Sequence, residues 1–362
     1  MDTSNEKKIE EIKSLFRKFK FKDEEIKEIG KKIIGTGGFG AVSQVIDKND
    51  NKYAGKLIKR EKIDRKDYTH LPKGPHIVNI MKKYDEKIDD EYYRLIIMEK
   101  ALLKDLSTIN HDLHLNKRLK LILSPPFEGN IGDNLLRLFA CQIISGFETL
   151  DRNDYFHFDI KPENILIFKR MKLKISDFDF LSEPNDIKVN NNKNRLRIPG
   201  GTHGYLSPEY YQDKEVSLNI AKKQDYFALG STLFELKYGE AMIPFEDYHN
   251  KLMNADYIID LLQRSIDLLK SKRIITDKDF ANFLLSLIEY DANERPNFEE
   301  IYRNKWINKN REYLKNIYLT NFEDEDKLLM EANKSDFLLT KKSEVKKNNS
   351  KFIFKRKKKK EK

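Results

Sequence analysis

The sequence has a single cysteine, no long apolar run and no apolar segment at its start. These features argue against an internal disulfide, a transmembrane helix and a signal peptide. Cys141 has no second cysteine with which to form an internal disulfide, which fits a reducing compartment and predicts a buried structural thiol. No run of about 18 apolar residues occurs, so we expect no transmembrane helix. Residues 1–8 lack the apolar segment of a signal peptide, and no glycine follows Met1 as N-myristoylation requires. We therefore expect an intracellular protein, located in the cytoplasm, the nucleus or both.

Positive charge is in excess, but it is unevenly spread. The formal net charge is +10, and residues 341–362 hold much of the excess. Blocks of like charge repel themselves, so this end of the chain is expected to be a disordered tail. Lysine-rich segments attract phosphates without reading a sequence. The tail therefore allows contact with anionic lipid, nucleic acid or the nuclear import machinery, or plain solvation, and a nucleic-acid-binding function rests on this tail alone.

The chain changes from strand-like to helical patterns near residue 101. Short apolar and β-branched segments, with glycines and turn signals between them, predict an antiparallel sheet. Apolar residues at helical spacing predict the helices that follow, and strands before helices indicate an α+β fold in two lobes. The predicted strands are 32–34, 41–46, 53–58 and 92–98, and the predicted helices are 135–150, 225–238, 257–269 and 280–288.

Further segments lie around and within these lobes. Apolar residues at helical spacing, embedded in charge, predict an N-terminal helical extension over residues 1–27. The polar stretch 107–133 is longer than an ordinary connection and is predicted to be an insertion. Residues 309–340 are predicted to form a C-terminal helical extension, which would either pack on the helical lobe or block the substrate groove. The basic tail, 341–362, follows it.

A glycine-rich segment joins the first two predicted strands. Gly35, Gly37 and Gly40 have the spacing G-x-G-x-x-G, with Phe39 at the tip and Val42 just beyond. Glycines let the backbone bring its N–H groups close to phosphate oxygens. Because a strand and not a helix follows, the segment fits a loop that covers phosphates better than a dinucleotide-binding turn.

Two later loops carry charged side chains that suit phosphoryl transfer. The first reads H-F-D-I-K-P-E-N and contains Asp159, Lys161 and Asn164, and the second reads D-F-D and begins at Asp177. Lys56 lies on the third predicted strand. Such a set can hold a hydroxyl nucleophile, a phosphate and divalent metal ions around one centre. Phosphoryl transfer depends on positioned charge of this kind more than on covalent chemistry.

Taken in order, these motifs resemble those of the eukaryotic protein kinase superfamily. Ser207–Glu209 resembles the A-P-E signature, Asp225 the buried helix aspartate that braces the catalytic loop, and Arg295 the arginine that pairs with the A-P-E glutamate. The H-F-D and D-F-D loops are variants of the family's H-R-D and D-F-G motifs. The resemblance covers residues 28–308 and implies a two-lobed protein-kinase-like fold. The implied lobes are a small antiparallel β-sheet N-lobe, about 28–100, and a mainly α-helical C-lobe, about 101–308.

The resemblance also implies a role for each charged residue. ATP would be the phosphate donor, with Mg²⁺ or Mn²⁺ as the metal. Asp159 would position the substrate hydroxyl, and Lys161 would steady the γ-phosphate. Asn164 and Asp177 would hold metal, and Lys56 would orient the α- and β-phosphates.

Two further assignments follow from the resemblance. Lys161 together with Gly201-Thr202 resembles the serine/threonine branch, so the partner would be a protein with a Ser or Thr hydroxyl. Thr202 would then contact Asp159 and Lys161 and would not be a regulatory phosphosite. The adenine site would comprise Val42, Ala54 and Leu166 around the purine, Met98 as gatekeeper, and Glu99, Lys100 and Ala101 as the hinge.

The chain departs from the family pattern at three places. Phe158 replaces the arginine that normally receives the phosphate of the activation loop, which predicts activity independent of that phosphorylation. Asp179 replaces the D-F-G glycine and adds a third carboxylate near the metals. The helix glutamate that should pair with the strand lysine is not assigned, with Glu61, Asp64 and Asp67 as candidates.

These departures leave two readings open. The first is an ATP-dependent protein serine/threonine kinase, favoured because the lysine, the two aspartates and the asparagine of the reacting centre are all present. The second is a pseudokinase, a scaffold that binds nucleotide or partners with little turnover. The sequence does not indicate the oligomeric state.

Overall fold

The computed structural model describes the two predicted lobes and part of the N-terminal extension. Residues 310–362 lie outside the described residues, and so do most of the insertion, Phe39 and the carboxylates Glu61, Asp64 and Asp67. The predictions made for them stay predictions. The described residues are 3–19, 26–37, 40–60, 70–108, 131–183, 186, 188–190, 193–212, 215–239, 242, 255–272 and 278–309.

The N-lobe is a five-stranded antiparallel sheet in the order β1-β2-β3-β5-β4. All four predicted strands are present, and β1 is longer than predicted. The sequence did not indicate β4, whose lysines and acidic residues interrupt the apolar pattern. Such charges are common on edge strands, where they discourage pairing with other chains. The strands are β1 (Ile26–Gly37), β2 (Gly40–Asp47), β3 (Lys52–Arg60), β4 (Ile80–Ile88) and β5 (Glu91–Glu99).

The sheet buries apolar side chains on both faces. One face, which includes Met98, joins the core that continues into the C-lobe. The other face, which includes Leu57, is covered by helix α1 (Thr3–Lys18), whose Phe16 is fully buried there. A Cβ at Gly30 would lie 2.8 Å from the Cβ of Phe16, so the glycine allows the helix to approach β1. The N-terminal helix therefore packs on the N-lobe.

The C-lobe is mainly helical, as predicted. Helix α4 (Leu218–Tyr238) begins after the N-cap Ser217, and its C-cap Gly239 has the left-handed conformation typical of a helix end. None of the helices in the described ranges is long and apolar enough to cross a membrane. The helices are α2 (Ile131–Asp151), α3 (Pro208–Gln212), α4 (Leu218–Tyr238), α5 (Ala255–Lys272), α6 (Lys278–Leu287), α7 (Phe298–Arg303) and α8 (Lys305–Asn308).

Cys141 is less buried than the sequence predicted. It lies on α2, packs against the core and is partly exposed. Its Sγ is 3.8 Å from the carbonyl oxygen of Ile307 in α8. The thiol therefore sits at the contact between two helices and not inside the lobe.

Five short strands complete the C-lobe. β6 (Ile165–Phe168) and β7 (Lys172–Ile175) form a hairpin that connects the two charged loops. β8 (Lys188–Asn190), β9 (Lys193–Arg197) and β10 (Glu215–Ser217) form a second sheet in the order β10-β9-β8. The sequence did not predict this second sheet, because its strands are short and polar. It ties the segment after the D-F-D loop to the start of α4.

Candidate active site

The predicted phosphate-binding glycines lie at the facing ends of β1 and β2. Gly37 pairs with Gly40, and Gly35 pairs with Val42. Gly40 has a φ of 152°, and a Cβ there would lie 2.0 Å from the carbonyl oxygen of Leu57. Only glycine fits at this position, because any side chain would collide with the β3 backbone. The predicted tip residue, Phe39, lies outside the described residues.

Lys56 reaches from β3 to the D-F-D loop. Its Nζ lies 2.6 Å from Asp177 Oδ1 and 2.9 Å from Asp179 Oδ2. Burial opposes the charge on the amine, but attraction to the two carboxylates outweighs it and raises the pKa of Lys56. Burial also opposes ionisation of Asp177, yet the ammonium of Lys56 holds its pKa below the usual value. The structure thus brings together Lys56 and Asp177, two predicted site residues that lie far apart in the sequence, and adds Asp179 to them.

Asp159 is held at the centre of the catalytic loop. Its Oδ1 accepts a hydrogen bond from the Thr202 hydroxyl at 2.6 Å, and its Oδ2 accepts one from Asn164 Nδ2 at 2.8 Å. Lys161 Nζ lies 3.0 Å from the same Oδ2 and donates to Thr202 Oγ1 at 2.6 Å. Thr202 therefore contacts Asp159 and Lys161, as predicted. The carboxylate is fixed from three sides.

Asp225 braces the catalytic loop from below, as predicted. Its two carboxylate oxygens accept hydrogen bonds from the backbone N–H groups of His157 and Phe158, each at 2.8 Å. Phe158 has a φ of 64°, a conformation that costs energy for a bulky residue. Burial raises the pKa of Asp225 to about 7, although the two N–H donors oppose the rise. The brace is what holds the strained loop residue in place.

His157 joins the two charged loops. Its Nε2–H donates to the carbonyl oxygen of Ser176 at 2.9 Å, and its Nδ1 accepts from the backbone N–H of Asp159 at 3.2 Å. Burial lowers the pKa of His157, so the ring is neutral, as these opposite roles require. The Ser176 N–H also donates to the carbonyl oxygen of Asn164 at 2.8 Å. These bonds place Asp177 next to Asn164.

Asp177 and Asn164 fit a site for a divalent cation. Carboxylate and carboxamide oxygens are the ligands that Mg²⁺ prefers, and Mg²⁺ usually takes its remaining ligands from water and substrate phosphates. In the part of the chain that the structure describes, no three His, Cys, Asp or Glu side chains form an all-protein metal site. Asp177 and Asn164 would hold such an ion together with water and a substrate phosphate.

The predicted adenine residues share one apolar cluster between the lobes. Ala54 and Met98 are buried in it, directly opposite each other on β3 and β5. Val42 and Leu166 are partly exposed and pack against it. Ile34 on β1 packs there in the same way, and the sequence reasoning had not included it. Together these side chains form an apolar surface of the kind that a purine ring needs.

The hinge between the lobes is anchored on both sides. Glu99 Oε1 accepts from the backbone N–H of Asn79 at 2.6 Å and from Lys174 Nζ at 2.5 Å. Beyond Ala101, the next two backbone N–H groups both donate to the carbonyl oxygen of Ile167 at 3.1 Å. The segment that would face the base is therefore held to the N-lobe at one end and to β6 at the other.

Phe158 is the side chain of the catalytic loop that faces the segment after the D-F-D loop. It is 1% exposed and belongs to an apolar cluster with Leu196 of β9, Ile198 and Val216 of β10. Gly201 allows this segment to approach, because a Cβ there would lie 2.4 Å from the Phe158 carbonyl oxygen. Where the family has a phosphate-binding arginine, this chain has an apolar contact.

The A-P-E glutamate and its predicted partner also meet. Arg295 Nη1 lies 2.7 Å from Glu209 Oε1, and the arginine side chain is fully buried. Breaking a buried pair is costly because it leaves one charge without a partner, so such a pair fixes the geometry around it. The end of the segment is thereby locked to the helical lobe, as the sequence predicted.

Comparison with known proteins agrees with this geometry. The protein kinase domain family matches residues 29–307. Similar proteins include calcium/calmodulin-dependent protein kinase kinase cmkC of Emericella nidulans, 26% identical over 77% of this chain and 57% of its own length. Mouse serine/threonine-protein kinase PLK2 is 26% identical over 76% and 36%, and the Aurora kinase of Saccharomyces cerevisiae 29% identical over 52% and 46%.

The chain spans less than two thirds of the length of each of these relatives. The family match, in contrast, covers most of the 362 residues and contains every charged group of the site. This chain belongs to the protein kinase domain family.

Proposed function

We propose that the chain is a protein serine/threonine kinase that transfers the γ-phosphate of ATP to a Ser or Thr hydroxyl. The observation that carries the proposal is the fixed Asp159 carboxylate, held by Thr202, Asn164 and Lys161. A pseudokinase needs no such restraint on this side chain. The intact pair between Lys56 and Asp177 supports the same conclusion.

Each side chain has a definite part in this reaction. Mg²⁺–ATP, or Mn²⁺–ATP, would be held by Lys56, Asp177 and Asn164 and would supply the phosphoryl group with part of its charge neutralised. Asp159 accepts the proton of the substrate hydroxyl at Oδ1, since this oxygen has a lone pair beyond the one that the Thr202 hydroxyl uses. Lys161 places a positive charge next to Asp159, where the transferred phosphoryl group gathers negative charge.

Two features support independence from activation-loop phosphorylation. The Phe158 cluster holds the segment by burial, and complete burial of one such side chain contributes about 1.5–3 kcal/mol. The sheet of β8, β9 and β10 adds backbone hydrogen bonds to the same segment. Apolar packing and sheet pairing thus take over the role that a phosphate and an arginine have elsewhere in the family.

Turnover with Mg²⁺–ATP and a generic basic protein substrate tests the activity. The wild type should transfer phosphate to Ser or Thr, and Asp159→Ala should still bind ATP while losing most turnover. ATP binding by the wild type without turnover would show that the chain is a pseudokinase.

Phosphatase treatment tests the second part of the proposal. Activity should survive complete dephosphorylation, as checked by mass spectrometry. Loss of activity that returns when the activation segment is phosphorylated would contradict independence while leaving the kinase assignment intact. On the sequence grounds given above, we also propose a cytoplasmic or nuclear location. For the tail, 341–362, the proposal keeps contact with anionic lipid, nucleic acid or import machinery beside plain solvation.

A further inference from the structure

Asp179 lies between two cations. Its Oδ2 is 2.9 Å from Lys56 Nζ, and its Oδ1 is 3.5 Å from Arg60 Nη2. Both cations come from β3, four residues apart. The side chain at the position of the D-F-G glycine is therefore directed at the strand that carries the phosphate-binding lysine.

The two aspartates of the D-F-D loop differ in accessibility. The side chain of Asp177 is 25% exposed, whereas that of Asp179 is 13% exposed. Asp177 is also adjacent to Asn164 through the Ser176 hydrogen bonds described above. The more open carboxylate is the one suited to metal, and the more enclosed one is suited to a permanent protein partner.

A metal on Asp177 changes the balance around Lys56. If Asp177 held a metal ion, its attraction for the ammonium would weaken, and a lysine on a four-carbon stem has many other rotamers. Asp179 keeps its position because Arg60 attracts its other oxygen. It remains as an anionic contact that directs Lys56 towards the phosphates.

We propose that Asp179 is the carboxylate that positions Lys56 for ATP, in the role that a helix glutamate has in the family. This inference rests on the proposed function, since it concerns the same site. It gives the unusual D-F-D sequence a purpose, because the third carboxylate is a partner of the lysine and not a surplus charge near the phosphates. Asp179 is thus a positioning residue that acts through Lys56.

One substitution separates a positioning role for Asp179 from simple repulsion of the phosphates, because the two roles predict opposite changes in ATP affinity. Asp179→Asn keeps the shape and removes the charge. If Asp179 positions Lys56, the Kd for Mg²⁺–ATP should rise about 3-fold to 10-fold and kcat should fall about 10-fold to 100-fold, as misplacement of a reacting group predicts. If Asp179 only repels phosphates, the substitution should tighten ATP binding. Unchanged or tighter binding overturns the proposal.

A double-mutant cycle tests whether the effect passes through the lysine. The Kd for Mg²⁺–ATP, measured by calorimetry, should change on Asp179→Asn in the wild type but stay within about twofold in a Lys56→Met background. Equal effects in both backgrounds overturn the proposal. Asp90→Asn is the control, since Asp90 is an exposed aspartate in the β4–β5 turn.

Failure of the inference and failure of the proposed function give different results. Wild-type protein that binds ATP without turnover contradicts the kinase assignment, and the Kd cycle still decides the role of Asp179. Wild-type protein that does not bind ATP overturns both. Active wild-type protein with an equally active Asp179→Asn variant overturns only the inference.

Discussion

The hydroxyl of Thr202 donates a hydrogen bond to Asp159 over 2.6 Å, although 43 residues separate the two in the sequence. The same hydroxyl accepts a hydrogen bond from Lys161. The side chain of Thr202 therefore sets the orientation of the Asp159 carboxylate and the position of the Lys161 ammonium. The segment completes the catalytic loop and does more than cover it.

Thr202→Ala should lower kcat by about 10-fold to 100-fold, in the range typical for a group that positions a general base. The KM for ATP should change little, because the Thr202 hydroxyl bonds Asp159 and Lys161 and not Lys56 or Asp177. Thr202→Ser keeps the hydroxyl and should restore most of kcat in a steady-state assay. A serine variant as slow as the alanine variant would show that the methyl group, and not the hydrogen bond, matters.

Much of this site was predictable because each motif is short and local. The sequence alone predicts the roles of Lys56 and Asp177 and the bracing of the catalytic loop by Asp225. It does not predict the contact of Asp179 with Lys56, because that contact depends on the turn at Asp177, where φ is 64°, and on the approach of two segments 123 residues apart. The one available signal was an aspartate where the family has glycine, in a chain with no clear helix glutamate.

In the fold, too, the elements with a local sequence pattern were predictable and one that depends on a neighbouring strand was not. Helices α2 and α4–α6 were predicted from apolar spacing, which a helix buried on one face needs. Strand β4 was missed because its stability comes from cross-strand pairs. Asp85 in β4, for example, accepts a hydrogen bond at 2.7 Å from Arg94, whose side chain is fully buried in β5. Such pairing partners cannot be read from one strand alone.

The raised pKa of Asp225 predicts a pH-dependent stability. In the folded protein the pKa is about 7, well above the ordinary value for aspartate, so the folded state keeps a proton that the unfolded state releases. The contribution of Asp225 to the free energy of unfolding is therefore greatest below about pH 4, falls between about pH 4 and pH 7, and is constant above.

Asp225→Asn should remove this dependence. In urea unfolding, the difference in free energy between wild type and variant should decline with rising pH by at most about 1.4 kcal/mol per unit. Asp256→Asn, an exposed change on α5, is the control and should leave the pH profile unaltered. A difference that stays flat from about pH 5 to pH 8 would contradict a raised pKa.

The Phe158 cluster should make a large contribution to stability. Phe158→Ala removes a side chain that is 1% exposed and should lower the free energy of unfolding by about 3–5 kcal/mol. Phe158→Leu keeps most of the apolar volume and should cost about 1.5 kcal/mol or less. Tyr302→Ala, at an exposed aromatic residue, is the control for chemical denaturation and should have little effect.

Phe158→Arg restores the family residue and places a positive charge in the apolar cluster around position 158. The guanidinium would enter a site lined by apolar side chains, so the variant should be less stable than Phe158→Leu. Its turnover should not rise on phosphorylation of the activation segment. A stable variant with phosphate-dependent activity would show that the site still contains the phosphate-operated arrangement.

Gly40→Ala should disrupt the glycine loop and the sheet together. The new Cβ would lie 2.0 Å from the Leu57 carbonyl oxygen, and a φ of 152° is unfavourable for alanine. Strand β2 would have to move away from β3, which we expect to cost about 2–4 kcal/mol in the free energy of unfolding. Since Lys56 precedes Leu57, ATP affinity should fall as well.

Gly35→Ala is the matched comparison, because its Cβ would make only an ordinary contact with Val42 at 3.8 Å. The melting temperature of this variant should stay near that of the wild type. Equal melting temperatures for the two variants would show that β2 can shift without cost.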